Sequence, residues 1–152
     1  MPKNLQRLDP FLSQMFLVEI DGIVVAGFSD VSGLQAETEF EEIREGGVND
    51  FVYKLPKGTK YQNLTLKKGL TTSSALWDWH RKVVAGKIER RTVHISLQST
   101  KAKGHMDWDY NNQYQVLDAF PVKWSGPELK SDGNSVAVET LELAHHGIKK
   151  GR

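Results

Sequence analysis

Thr92-Val93-His94-Ile95-Ser96-Leu97-Gln98, residues 92–98, alternates polar and apolar side chains. A period of two places Val93, Ile95 and Leu97 on one face and Thr92, His94 and Ser96 on the other, which predicts a half-buried β-strand within 88–99. The pattern recurs in both directions from there. Upstream, Phe16, Val18 and Ile20 share one face of a strand at 15–20, and Asp21-Gly22 supplies a turn before a predicted returning strand at 23–28. A third strand at 34–45 carries Glu37, Glu39 and Glu41 on one face and stops at Gly46-Gly47. The polar segment that follows contains Pro56 and Gly58, so 45–60 reads as a long loop or hairpin tip. A strand at 60–68 then sets Leu64 and Leu66 against Tyr61, Asn63, Thr65 and Lys67.

One segment has a different period. Leu76, Trp79, His80 and Val83 recur at i, i+3, i+4 and i+7, the stripe of an amphipathic helix. Thr72, Ser73 and Ser74 are capping candidates before it, Asp78 sits in its early part, and Gly86 is a natural stop. Beyond it, 105–124 reads as a long strand pair and 136–145 as a final strand. In that last strand Val136 and Val138 have one parity and Leu141 and Leu143 the other, which predicts a bulge or a change of sheet. Ser125-Gly126-Pro127 and Ser131-Asp132-Gly133-Asn134 are loop signals. The expected fold is mainly β: a sandwich or partial barrel with one packed α-helix, in a single domain over 1–152. Within it, 1–12 is an N-terminal extension and 101–115 a polar loop or strand pair. Leu76, Trp79, Val83, Val93, Ile95 and Leu97 are expected to anchor the core.

Composition removes several classes of function. The 152 residues carry 20 Lys and Arg against 19 Asp and Glu, and this near-neutral balance gives no field that argues for nucleic acid or an anionic membrane. Cysteine is absent, which excludes disulfides and thiolate metal sites. Ile23-Val24-Val25-Ala26 is far too short to span a bilayer, and the N-terminal residues do not read as a signal peptide, so synthesis in the cytoplasm is expected. His80, His94, His105, His145 and His146 do not have metal-ligand spacing: the adjacent pair points to opposite strand faces, and His94 with His105 lacks a third ligand. No nucleophile elbow, acid pair in an apolar setting or glycine-rich phosphate loop occurs, so neither catalysis nor a cofactor is expected. The basic pairs Lys67-Lys68, Arg81-Lys82 and Arg90-Arg91 are broken by Asp78 and Glu89 and read as solvated or subunit-contact positions. What remains is a strand-rich domain whose edges few prolines guard, a composition suited to pairing with other copies.

Several stretches, in order, resemble one family. They are Phe28-Ser29-Asp30-Val31-Ser32-Gly33-Leu34, Glu45-Gly46-Gly47-Val48-Asn49, Lys54-Leu55-Pro56 and Lys60-Tyr61-Gln62-Asn63-Leu64-Thr65-Leu66-Lys67-Lys68-Gly69. Trp77-Asp78-Trp79 and Arg90-Arg91-Thr92-Val93-His94-Ile95 follow. The most specific are Ala119-Phe120-Pro121-Val122-Lys123-Trp124-Ser125-Gly126-Pro127 and Val136-Ala137-Val138-Glu139-Thr140-Leu141-Glu142-Leu143-Ala144-His145. Together they resemble the tail tube proteins of contractile phage tails and extracellular contractile injection systems, over about residues 11 to 149, the extent of one domain. The glycine of Lys57-Gly58-Thr59 stands one place later than the family pattern, Gln62 replaces a common glycine, and 101–115 is unusually polar.

The resemblance implies homohexameric rings stacked into a hollow tube, each subunit giving strands to a large ring-shaped barrel with its helix outside. Sheath contraction would drive the tube through a target envelope, with cargo proteins or phage DNA in the lumen. Sheath, baseplate or spike and tube-terminator proteins are the implied partners, in a phage tail-like particle released from the cell or anchored to it. No sequence-specific nucleic-acid binding and no membrane insertion by the monomer are implied. A tube initiator or baseplate or spike adaptor of the same family is the alternative role, and a small β-sandwich binding module the alternative outside it. On this footing Glu37, Glu39 and Glu41 are expected to face the lumen. Glu45, Gly46, Gly47, Asn49, Tyr53, Lys54, Lys57 and Lys60 are expected at contacts between subunits or rings.

Overall fold

A computed structural model describes residues 16–23, 25, 27–47, 50–100 and 106–151, with side chains described outside 98–112. The N-terminal extension, Asn49 and His105 lie outside the described residues. Nine strands and one helix follow in order: β1 (Phe16–Ile20), β2 (Phe28–Ser32), β3 (Ala36–Ile43), β4 (Tyr53–Tyr61), β5 (Leu64–Gly69), α1 (Ala75–Val84), β6 (Arg91–Thr100), β7 (Met106–Ser125), β8 (Val138–Ala144) and β9 (Ile148–Lys150). The fold is mainly β with one helix among the described residues, as the periodicity predicts.

Seven strands make one antiparallel sheet in the order β1-β6-β7-β8-β5-β2, with β9 also paired to β7. β7 is its spine: one half pairs with β6 and the other with β8. The two-residue alternation supplies the core. Val18, Ile20, Leu64, Leu66, Val93, Ile95, Val116, Ala119, Leu141 and Leu143 meet Leu76 and Trp79 of α1, which packs over β7. At about 1.5–3 kcal/mol for each large apolar side chain removed from water, this cluster is the main source of folding free energy. Val83 and Leu97, expected in it, are half-buried and not part of this cluster.

The helix forms where its local signals place it. Ser73 Oγ accepts from the Ala75 N–H at 3.4 Å, and Ser74 Oγ bonds the Asp78 carboxylate at 2.9 Å rather than capping a backbone group. Its end is a Schellman motif: the Gly86 N–H donates to Val83 O and the Lys87 N–H to Lys82 O, with Gly86 at φ +87°.

Four strand expectations are corrected. Among the described residues of 23–28 only Ile23 meets β1, in one bridge to Ile20; β1 pairs with β6 and β2 with β5. Gly27, at φ +87°, turns the chain away, and Val18 and Ile20 gain more burial opposite Ile95 and Val93 than a local hairpin offers. Of 45–60, read as a long loop or hairpin tip, half is strand β4, the return of a hairpin with β3, and the strand expected at 60–68 is broken at Gln62-Asn63 between β4 and β5. Pro56 is tolerated because the register shifts beside it: Thr59 faces Thr38 but Pro56 faces Phe40, on a strand paired along one edge only. The pair expected at 105–124 is one 20-residue strand, β7. Finally, β8 has no parity switch and pairs with β5 in unbroken register. Its buried parity is Glu139, Leu141 and Leu143, and Val136 lies before the strand and is exposed.

Candidate assembly surface

β3 and β4 pair with each other and with no other described strand, so they form a two-stranded arm apart from the main sheet. Each arm strand therefore has an outer row of backbone donors and acceptors without a strand partner, the feature that invites pairing with another chain. Every residue of both strands is exposed. Large apolar ones are among them: Phe40 is 54% exposed and Leu55 49%, and Phe51, just before β4, is 56% exposed. An isolated hairpin is marginal in water, and exposed apolar groups on such an element mark a surface that another molecule covers.

Register sorts the arm into two faces, because directly paired residues point the same way. One face holds Thr38, Phe40 and Glu42 with Thr59, Pro56 and Lys54; Thr38 and Thr59 hydroxyls bond at 3.0 Å, and the Lys54 ammonium lies 5.3 Å from the Phe40 ring centre. The other holds Glu37, Glu39, Glu41 and Ile43 with Lys60, Leu55 and Tyr53. The three glutamates do share a face, but it is not purely acidic. Lys60 Nζ lies 2.5 Å from Glu39 Oε1, and this hydrogen bond and charge, with Glu37 adding to them, hold the Lys60 ammonium above the ordinary lysine range. The structure thus brings together a residue expected at a subunit contact and one expected in the lumen. Tyr53 lies on this same face, Lys54 on the opposite one, and Lys57 at the register shift. Glu45, Gly46 and Gly47 lie at the far end, where Gly47 has φ +99°.

The arm is tied to the main sheet at its base. The Gln62 N–H donates to Gln35 O at 3.2 Å, His145 Nε2 bonds Gln62 O at 2.9 Å, and Asn63 Nδ2 donates to Glu142 Oε1 at 3.0 Å. Gly33 has φ +95°, and a Cβ there would stand 2.1 Å from Asn63 O, so the two chain segments meet this closely only with glycine.

The other sites singled out by sequence resolve differently. Lys67 and Lys68 point to opposite faces, the first exposed and the second buried. Arg91 Nη2 meets Glu89 at 2.6 Å, Nη1 donates to Asp21 O at 2.8 Å, and the guanidinium lies over Trp79, whose Nε1 donates to Glu89 O. Arg90 lies over Phe120, 4.7 Å from the ring centre, and Arg81 over Trp77. Hydrogen bonds from Lys82 and Arg91 hold the Glu89 carboxyl below the usual range. His94 pairs with Asp21 at 3.0 Å and His146 with Asp118 at 3.4 Å. Among the described residues no three His, Asp or Glu side chains converge as metal ligands would.

Two features escaped sequence reasoning. Pro56 and Gly58 hid strand β4 and with it the exposed apolar side chains of the arm, Phe40 on β3, Leu55 on β4 and Phe51 between them. The second is a buried ion pair: Lys68 Nζ and Glu139 Oε1 lie 2.9 Å apart in the β5–β8 pairing, with side chains 1% and 3% exposed. A charged residue in an alternating strand normally marks the solvent face, so nothing local points to it.

Comparison with known proteins follows the same lines. The model of the T4-like virus tail tube protein gp19 family matches residues 13–149. No curated protein sequence matches the chain. A chain of the sheath–tube complex of an extracellular contractile injection system, PVC, in its extended state is 27% identical, with 92% of this chain and 90% of that one covered at a TM-score of 0.76. A chain of the six-fold symmetrised baseplate of the anti-feeding prophage is 25% identical, with 94% and 96% covered at 0.78. A chain of the tube-terminating cap of that prophage shares the fold at 24% identity, with 98% and 97% covered at 0.81.

Proposed function

We propose that this chain, which belongs to the family of T4-like virus tail tube proteins, is a structural subunit of the inner tube of a contractile injection machine. Its copies form homohexameric rings that stack into a hollow tube; sheath contraction drives the tube through a target envelope, and cargo passes along the lumen. The family match over residues 13–149 supports the tube role. A six-fold symmetrised assembly containing a similar chain supports the ring size.

One observation carries the assembly mechanism: an arm stands off the sheet with neither outer edge paired to a described strand and with Phe40, Phe51 and Leu55 exposed. We read the arm as the element that bridges to a neighbouring subunit or the next ring, through Glu45, Gly46, Gly47, Asn49, Tyr53, Lys54 and Lys57. β1 and β2, at the two ends of the main sheet, are the strands through which neighbours in a ring join, so that closure leaves no edge. Glu37, Glu39 and Glu41 line the lumen, with Lys60 lowering their net charge. The partners are further copies of the chain, a sheath, a baseplate or spike and a terminator, in a phage tail-like particle assembled in the cytoplasm.

The test is to shorten the arm. Joining Thr38 to Thr59 through Asn-Gly keeps their cross-strand pair and replaces 39–58 with a two-residue hairpin. The shortened chain should remain folded by circular dichroism and form no tubes by negative-stain microscopy. Tubes of ordinary length from that chain refute the role of the arm. Single rings rather than long tubes from the unaltered chain would identify an initiator or adaptor instead of a shaft subunit.

A further inference from the structure

We propose that His145 is the positioning residue of the arm and that its protonation state makes the seating of the arm sensitive to acid. The inference rests on the reading of the arm as the assembly element and adds a proton as its regulator.

His145 follows the end of β8, and both ring nitrogens are engaged. Nδ1 lies 3.2 Å from the Gly147 backbone nitrogen, and Nε2 lies 2.9 Å from the Gln62 carbonyl oxygen. A backbone N–H only donates, so Nδ1 must offer a lone pair. A carbonyl oxygen only accepts, so Nε2 must carry the proton. The neutral Nε2–H tautomer satisfies both contacts. The other tautomer sets a lone pair against the carbonyl and an N–H against an N–H. The imidazolium keeps the bond to Gln62 but aims Nδ1–H at the Gly147 N–H, leaving a buried backbone donor without its acceptor.

This ring sits where the arm meets the sheet. Gln62 is the first residue past β4, and its N–H holds Gln35, the residue before β3. The Tyr61 ring, at the end of β4, packs on the imidazole with 5.7 Å between centres and also borders Gly147. Gly147 O in turn accepts from the Leu117 N–H of the central strand. One imidazole therefore links both arm strands to β7. Among the described residues Tyr61 from β4 packs on the ring, and Glu142 from β8 accepts from Asn63, the neighbour of Gln62. His146 turns instead toward Asp118 and Arg90. Protonation of the ring converts Nδ1 from acceptor to donor and loosens this junction.

The test uses the full chain. At neutral pH, ring-nitrogen NMR should show His145 as the Nε2–H tautomer, and the Gly147 amide should be protected from exchange. Once NMR shows the ring protonated in acid, Gly147 protection, corrected for intrinsic exchange, should fall about tenfold, the worth of one hydrogen bond. The Ile95 and Val116 amides in the main sheet should be unchanged, and tube yield should drop in the same buffers. His145→Phe keeps a ring against Tyr61 without nitrogens; its Gly147 amide should be poorly protected and its tube yield low, both independent of pH. If that variant fails to fold, His145→Gln and the tautomer of the unaltered chain decide. An Nδ1–H tautomer overturns the proposal, as does Gly147 protection that ignores pH. Tubes from the arm-shortened chain would refute the assembly reading alone, whereas loss of those tubes with pH-independent Gly147 protection refutes this one alone.

Discussion

Glu139→Leu should be among the most destabilising single changes in this fold, because it strands a lysine in the sheet. Lys68 Nζ is 2.9 Å from Glu139 Oε1, and its other partners among the described residues are Gly69 O at 3.0 Å and Thr71 Oγ1 at 3.3 Å. Trp124 Nε1 donates to the second oxygen of Glu139 at 3.1 Å and would lose its acceptor. Removing one member of a buried pair costs about 3–5 kcal/mol, since the remaining charge stays desolvated. Against a total of about 5–15 kcal/mol for a domain, that is a large share. Replacing both charges, as Lys68→Met with Glu139→Leu, removes the desolvation cost and is worth about 1–4 kcal/mol in the favourable direction. The orphaned Trp124 N–H takes back about 1–3 kcal/mol, so the double variant should lie near the unaltered chain. The assay is equilibrium urea unfolding of the arm-shortened chain, in which assembly does not contribute to stability. Reading all four members of the double-mutant cycle isolates the coupling. A single Glu139→Leu costing under about 1 kcal/mol, or a double variant as unstable as the sum of its singles, would show that the pair is not desolvated as described.

Other outcomes are equally open to measurement. Gly33→Ala combines φ +95° with a Cβ 2.1 Å from Asn63 O, and should lower stability by more than the roughly 1–2 kcal/mol of the backbone conformation alone, read as a shift in thermal midpoint. Phe40→Ser with Leu55→Ser should leave the unfolding of the main sheet within about 0.5 kcal/mol while abolishing tubes; a folded, tube-forming variant would remove these side chains from the interface. Reversing Glu37, Glu39 and Glu41 to lysine should change cargo loading of assembled tubes; unchanged loading excludes a lumenal role. Glu89 has its carboxyl lowered by hydrogen bonds from Lys82 and Arg91, so its contribution is present above the unfolded carboxyl range and is lost as pH falls through the lowered value. Glu89→Gln should flatten that acid limb slightly, by an amount small enough for salt to erase because the group is exposed; an unchanged limb in a pH series of urea midpoints contradicts this.

How much of this was legible in the chain depends on the range of the interaction concerned. The helix was readable almost to the residue, because its stripe, its serines and Gly86 act within one turn of one another. Strand existence was equally local: Val93 and Ile95, or Leu141 and Leu143, declare a buried face by themselves. Partners were not legible. Asp21-Gly22 suggested a hairpin, yet β1 pairs with β6 more than seventy residues on in sequence, since burial rather than proximity selects the register.

The candidate site divides the same way. Alternation alone put Glu37, Glu39 and Glu41 on one face, and the register kept them there. Lys60 joined that face only through the cross-strand pairing, and Pro56 and Gly58 concealed a strand because the bulge that accommodates them depends on β3 opposite. Lys68 and Glu139 read separately as solvent charges; set opposite each other in the sheet, they become one neutral buried pair. The amino-acid order by itself determined a β-rich chain with a helix and the ordered segments of a tube-forming family, all properties carried within short stretches. The tertiary structure decided which strands are neighbours, which charges are buried, and that β3 and β4 stand apart with their edges open. Those depend on long-range pairing, whose free energy comes from surfaces that exist only once the chain has closed on itself.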